Sequence, residues 1–296
     1  TQLPDMANSL EWATYFNLAQ YNTNGSTAFN EETMANIVKY LNGEFTDPST
    51  PEYYGTTAGS DGKWNKYNNA FANTDWCKEF YKEKVPSTQH NISLSGGNNK
   101  VTWLISGSYL LQNGLIRHGH DEYNRYTTNA KIGAELASWA RVDYNVKWTR
   151  TDYERPFYMT GLFYHNIARR WPTCPVIDPN GHYTDGMEIH ELENMGTRNE
   201  KSDMFTQQLR FTFTPLEGWN IVADGALRVT NNKTNYGMQP VEYYDVNDQP
   251  FLYDSGYGTT SYVYDYRGRS NYYAVNLFTD YSRSFGKHNG KVLVGL

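Results

Sequence analysis

The sequence predicts an all-β fold: an antiparallel, up-and-down transmembrane β-barrel segment with long extracellular loops and short helices in the first loop. Three observations predict it. From about Gln89 onward, apolar and polar residues alternate over stretches longer than an ordinary strand. Tight turns and long links alternate strictly between those stretches. The chain is also aromatic yet hydrophilic: 26 Tyr, 8 Trp and 13 Phe in 296 residues coexist with a mean hydropathy of -0.75. Strands that show only every second residue to lipid keep such a low mean while crossing a membrane.

The first 87 residues follow a different period. Asn8 and Glu11 stand at capping-box spacing around Leu10, Trp12, Ala13 and Phe16, which predicts a helix over about 9–20. Asn30 precedes a second helix, in which Met34, Ile37, Val38 and Leu41 follow the i, i+3, i+4, i+7 pattern until Gly43 stops it. Residues 46–75, rich in Gly, Pro, Asn, Asp, Ser and Thr, are expected to be irregular loop.

The period then becomes two. Val101, Trp103, Ile105, Tyr109 and Leu111 share one face, with Thr102, Ser106, Ser108 and Gln112 on the other. Tyr126, Ala130, Ile132, Ala134 and Leu136 oppose Arg125, Thr127, Asn129, Lys131 and Glu135. The same division recurs through Ala140–Trp148, Phe205–Phe213, Trp219–Val229 and Tyr273–Phe285. Residues 96–99, 137–138, 216–218 and 286–290 are expected as tight turns, and 113–121, 153–202 and 233–266 as long links. Outer-membrane barrels arrange short periplasmic turns and long extracellular loops in this way. The expected organisation is a first extracellular loop region over 1–87 and about eight antiparallel barrel strands over 88–296, a partial barrel with two unpaired sheet edges.

The net charge of -6 and the pI near 5.7 speak against a nucleic-acid partner. No apolar run reaches the length of a transmembrane helix, and residues 1–10 have neither the basic start nor the apolar stretch of a signal peptide. Chemistry-bearing motifs are sparse. His190-Glu191 lacks the second histidine of a zinc-protease motif. His118 and His120 flank Gly119 without further ligands and are expected in a solvated loop. Glu188, Glu191 and Glu193 are expected on a solvated face. Asp178-Pro179-Asn180-Gly181 is expected to form a turn, with a related one around 245–249. Cys77 and Cys174 form no motif; both fall in expected loops, where unpaired thiols are favoured over a disulfide. The expectation is therefore a chain that is not an enzyme, with no cofactor and no metal.

The aromatic loop residues are the binding candidates: Tyr164, His165 and Trp171 in one long link, and Tyr253, Tyr257, Tyr262 and Tyr264 in the other. Trp171 leads because Arg169 and Arg170 beside it supply hydrogen-bond donors. The competing account, that Trp171 before Pro172 anchors the loop, is equally open at this stage.

Several segments resemble the SusC/RagA-type TonB-dependent importers. LPDMANSLEWATYFNLA (3–19) is similar to the segment after that family's first barrel strand, and residues 30–43, Asp47-Pro48 and 73–76 are similar to its next landmarks. HNISLSGGNNKVTWLISGSYLLQNGLI (90–116) resembles its first full hairpin, and PVIDPNGHY (175–183) a loop hairpin common in it. Residues 49–72 look like an insertion. The resemblance implies an N-terminal plug inside a 22-stranded barrel, TonB drive, a SusD-type surface lipoprotein as lid, and uptake of oligosaccharides or peptides at the outer membrane. On that basis this chain is expected to match only the early barrel, without plug and remaining strands. The alternative is a soluble, secreted β-rich glycan-binding module, whose strands would be nearer five or six residues long.

Overall fold

The computed structural model describes residues 3–159, 163–254 and 256–296. Helix α1 (Ser9–Asn24) starts at the capping box: Asn8 Oδ1 accepts from the Glu11 N–H, and Glu11 accepts from the Asn8 N–H. It ends at Gly25, whose φ of 74° closes the last turn. Helix α2 (Glu31–Leu41) is capped by the Asn30 side chain. The segment expected to be irregular contains two short 3-10 turns, Pro51–Tyr54 and Tyr67–Asn69. It is followed by α3 (Trp76–Phe80), so Cys77 sits on a helix and not in a loop.

Eight strands then form one antiparallel sheet in simple up-and-down order: β1 (Ser87–Gly97), β2 (Val101–Asn113), β3 (Glu122–Ala137), β4 (Ala140–Pro156), β5 (Thr197–Leu216), β6 (Trp219–Met238), and after a loop hairpin of β7 (Glu242–Tyr244) and β8 (Pro250–Leu252), β9 (Tyr262–Phe285) and β10 (His288–Gly295). Between β4 and β5 lie two short helices, α4 (Phe163–Ala168) and α5 (Ile189–Asn194). The sheet is open: β1 and β10 each pair on one side only among the described residues. The last turn is tighter than expected, because β10 already begins at His288. At the β5–β6 turn, Gly218 has a φ of 83° and no room for a Cβ, which would lie 2.2 Å from the Ser282 carbonyl oxygen.

The register carries the two faces across the whole sheet. Ile132 pairs with Trp103 and Tyr144, Tyr144 with Leu209, Val142 with Phe211, and Ala223 with Phe211 and Leu277. This apolar face is open, with Ile105, Leu209, Val275 and Leu277 exposed. Gly96 is what lets Trp103 lie flat on it, since a Cβ there would come within 2.8 Å of the indole. One amide interrupts the belt, Gln207, and the Tyr144 hydroxyl donates to it at 2.7 Å.

The other face is polar and ion-paired. Arg210 and Asp224 pair at 3.0 Å, with the Asp224 side chain only 6 % exposed, and Gln208 donates to the same carboxylate. Lys291 and Asp280 pair at 3.3 Å, and Arg141 and Asp143 at 2.9 Å.

Strand pairing outlasts the apolar belt. On β5 the belt occupies residues 205–213, close to the roughly 9–11 residues a tilted strand needs to cross a bilayer. Before it, the same face carries Asp203, which pairs with Arg150 and accepts from the Trp148 indole, and Lys201, which pairs with Asp152. Strands of 20 and 24 residues, as in β5 and β9, far exceed what a sandwich uses.

Candidate functional site

At the end of the sheet away from the tight turns, the long links and the N-terminal helices fold against one another. Trp76, Phe80, Ile116, Phe157, Ile167, Leu192 and Tyr243 belong to one buried cluster, drawn from α3, the β2–β3 link, the β4–β5 link and the β6–β9 link. Ala13, Phe29, Ile37 and Phe71 form a second under α1 and α2. The long links are therefore a packed body with its own core.

Trp171 joins the two clusters. Its ring lies 4.4 Å from Phe16, 5.6 Å from Phe29, 6.0 Å from Trp12 and 5.6 Å from Tyr67, and its carbonyl accepts from the Trp76 indole at 2.9 Å. Arg170 is buried. It pairs with Glu188 at 2.7 Å, donates to the Gly186 carbonyl at 2.9 Å and lies over the rings of Trp76 and Phe80. Arg169 is exposed beside it, and its guanidinium donates to the Asn166 amide oxygen at 3.4 Å. Tyr164 and His165, expected in a loop, sit on α4; Tyr164 is exposed and stacks on Tyr81. Tyr253 packs on Tyr243 and Tyr257 on Phe157 and Tyr158, all at the margin of the first cluster. The seven candidates thus divide between an interior set around Arg170 and Trp171 and an exposed set around Tyr164, His165 and Arg169.

Two expectations are corrected. The acidic run is not a solvated face: Glu188 and Glu191 are buried. Glu188 is held by Arg170, Tyr158 and Asn166, with its own backbone at a φ of 65°. Glu191 accepts from the Tyr243 hydroxyl at 2.5 Å, and burial raises both the carboxyl and the phenol above their ordinary ranges. Nor is His118 a solvated loop residue. Its Nδ1 meets Glu193 at 2.9 Å and its Nε2 meets Glu79 at 3.0 Å, which ties α3, the β2–β3 link and α5 together. Burial works to lower the His118 pKa, but the two carboxylates outweigh it and the net shift is upward. Cys77 and Cys174 are both free and buried, and burial pushes the Cys174 thiol up to about 11.

The sequence pointed to the two turns but not to their meeting. Asp178 Oδ1 accepts from the N–H groups of Asn180 and His182, and Asp245 Oδ1 from those of Asn247 and Gln249. The hairpins then clasp. Asn180 Nδ2 donates to the Asp245 carbonyl at 3.0 Å, His182 Nε2 meets Asp248 at 2.8 Å, and the His182 ring stacks on Tyr244 at 3.9 Å. The paired Asp-x-Asn spacing was the available signal; that two loops some 65 residues apart would dock was not.

No family model matches the chain. It is 23 % identical to TonB-dependent receptor P3 of Formosa agariphila over 239 residues, covering 76 % of this chain and 22 % of that protein. It is also 23 % identical to TonB-dependent receptor SusC of Bacteroides thetaiotaomicron over 250 residues, covering 76 % of this chain and 24 % of that one. The RagAB peptide importer in its 'closed-closed' state superposes with a TM-score of 0.65 at 18 % identity, over 99 % of this chain and 32 % of the other. This chain is built like part of a TonB-dependent receptor. In the 'open-open' state of RagAB the TM-score is 0.61 at 20 % identity. The SusC/RagA-like segment spans about a quarter of the length of the curated relatives it matches. Its place is the outer membrane, where such receptors reside.

Proposed function

We propose that this SusC/RagA-like segment forms part of the wall and outer rim of an energised nutrient importer. The observation that carries the proposal is the division of one sheet into an open, mostly apolar face and an ion-paired polar face, capped at one end by a packed loop body. The apolar face fits lipid and the polar face fits a wet lumen. The loop body is ordered and rich in rings, as a rim that receives solute and docks a lid requires. In the whole protein the partners are then a SusD-type surface lipoprotein above and TonB below, and the cargo is oligosaccharide or peptide. In this arrangement the tight turns face the periplasm and the loop body faces outside.

Labelling of intact cells with a membrane-impermeant maleimide tests it in the full-length protein. The two thiols of this segment, Cys77 and Cys174, are buried and stay silent. A cysteine at Asn180 labels and one at Asn98 does not, and nutrient uptake stops when TonB is removed. Labelling at Asn98 alone, or uptake independent of TonB, overturns the proposal.

A further inference from the structure

Behind the clasped hairpins lies a cavity of about 370 Å³ to which the importer proposal assigns nothing. Its walls include the rings of His182, Tyr183, His190 and Tyr244, with Asn194 and Glu242 beside them, and no Lys or Arg. The hydrogen-bond donors of those walls are largely used inside the protein. Tyr183 donates to Glu193 at 3.1 Å, and Tyr243 to Glu191. The Asn194 amide donates to His190 at 3.2 Å, and His182 Nε2 faces Asp248. What remains toward a ligand is aromatic surface and acceptors. Glu242 is exposed and enters no ion pair among the described residues.

A ligand anion would meet the Glu242 carboxylate with no Lys or Arg among the cavity walls to offset it. A sugar would find ring faces to stack on but few donors for its hydroxyl oxygens. A guanidinium or ammonium brings several donors and a charge that both the ring faces and the Glu242 carboxylate attract. We propose that this cavity is a recognition subsite for the basic side chain of a peptide. The proposal rests on the importer function only for what happens after binding, because recognition itself needs no energised membrane.

The test is calorimetric binding to purified full-length protein in detergent. The probes are an acetylated, amidated Gly-Arg-Gly peptide, the same peptide with citrulline in place of Arg, agmatine, and maltotriose. The Arg peptide is expected to bind about tenfold or more tightly than its citrulline twin, as loss of a charge-assisted pair implies. Glu242→Gln and Tyr183→Leu are each expected to remove that preference with the melting temperature retained. Equal binding of the two peptides by the unmodified protein overturns the proposal whatever the variants do. Competition by maltotriose assigns the cavity to sugars, agmatine binding as tightly as the peptide assigns it to small amines, and either result also overturns it. Failure here with TonB-dependent uptake intact leaves the importer standing, whereas retained binding without such uptake counts against the importer alone.

Discussion

The ring of Trp171 lies 4.4 Å from that of Phe16, so a residue of the β4–β5 link is packed against α1, more than 150 positions earlier in the chain. With Trp12, Phe29 and Tyr67 also against it, Trp171 is the join between the two loop clusters. Trp171→Ala is expected to destabilise the loop body by about 3 kcal/mol, the low end for losing a core tryptophan because the ring is only partly buried. Thermal unfolding and limited proteolysis of the full-length protein check this, with α1 expected to become cleavable first. Lost solute affinity at unchanged stability would instead make Trp171 a contact residue.

The Arg170–Glu188 pair is held out of water, with side-chain exposures of 7 % and 8 %. Removing one partner strands the other charge, so Arg170→Met is expected to cost about 3–5 kcal/mol. Arg170→Met combined with Glu188→Met is expected to cost less than the sum of the two single changes, because no charge is then left uncompensated. A double-mutant cycle by denaturant titration reads the difference, and strict additivity would mean the pair is not coupled.

His118 makes the loop body pH-sensitive. The groups facing it are Glu79 and Glu193, with Arg117 near Glu79 and the Tyr183 ring alongside. Its pKa is raised above 6.5, so its contribution is complete below that value and is lost as pH rises through the raised one. The Glu79 carboxyl, held below 4.5 chiefly by its hydrogen bond to His118, contributes above 4.5 and is lost as pH falls through its lowered value. The His118–Glu79 contact is therefore tightest between about pH 4.5 and 6.5. Amide exchange over residues 114–121 is expected to be faster at pH 8.5 than at 5.5 after correction for intrinsic rates, and His118→Gln is expected to flatten that difference. An equal difference in the variant would place the sensitivity elsewhere.

The lipid face can be tested by charge. Ile105 and Leu277 are exposed on the apolar side, and Val146 lies on the same side opposite Ala130. Arg at any of them is expected to cost about 2–4 kcal/mol at the bilayer midplane in the full-length barrel. Arg at Ser106 or Asn276, on the polar face, is expected to cost far less. Folding titrations into lipid vesicles measure both, and equal costs would mean the faces are reversed.

Period-two alternation survived translation into structure because each strand obeys it locally. Once the Val101–Leu111 face was known, antiparallel pairing carried the same division to Ile132, Tyr144 and Leu209. The helix caps at Asn8 and Asn30 were legible for the same reason, since the side chain that caps lies three residues from the amide it satisfies. Of the candidate site residues, Arg170 and Trp171 were visible as an unusual pair, but their partners Glu188 and Phe16 were not.

What the sequence alone determined is thus the strand alternation, its two faces, the turn order and the starts of α1 and α2, all of which depend on neighbours within a few positions. What only the tertiary structure decided is the state of the loop residues. Glu188, Glu191 and His118 read as solvated polar residues until distant segments closed over them and supplied Arg170, Tyr243, Glu79 and Glu193 as partners. Burial of a charge depends on which remote group compensates it, and no local pattern in the chain records that pairing.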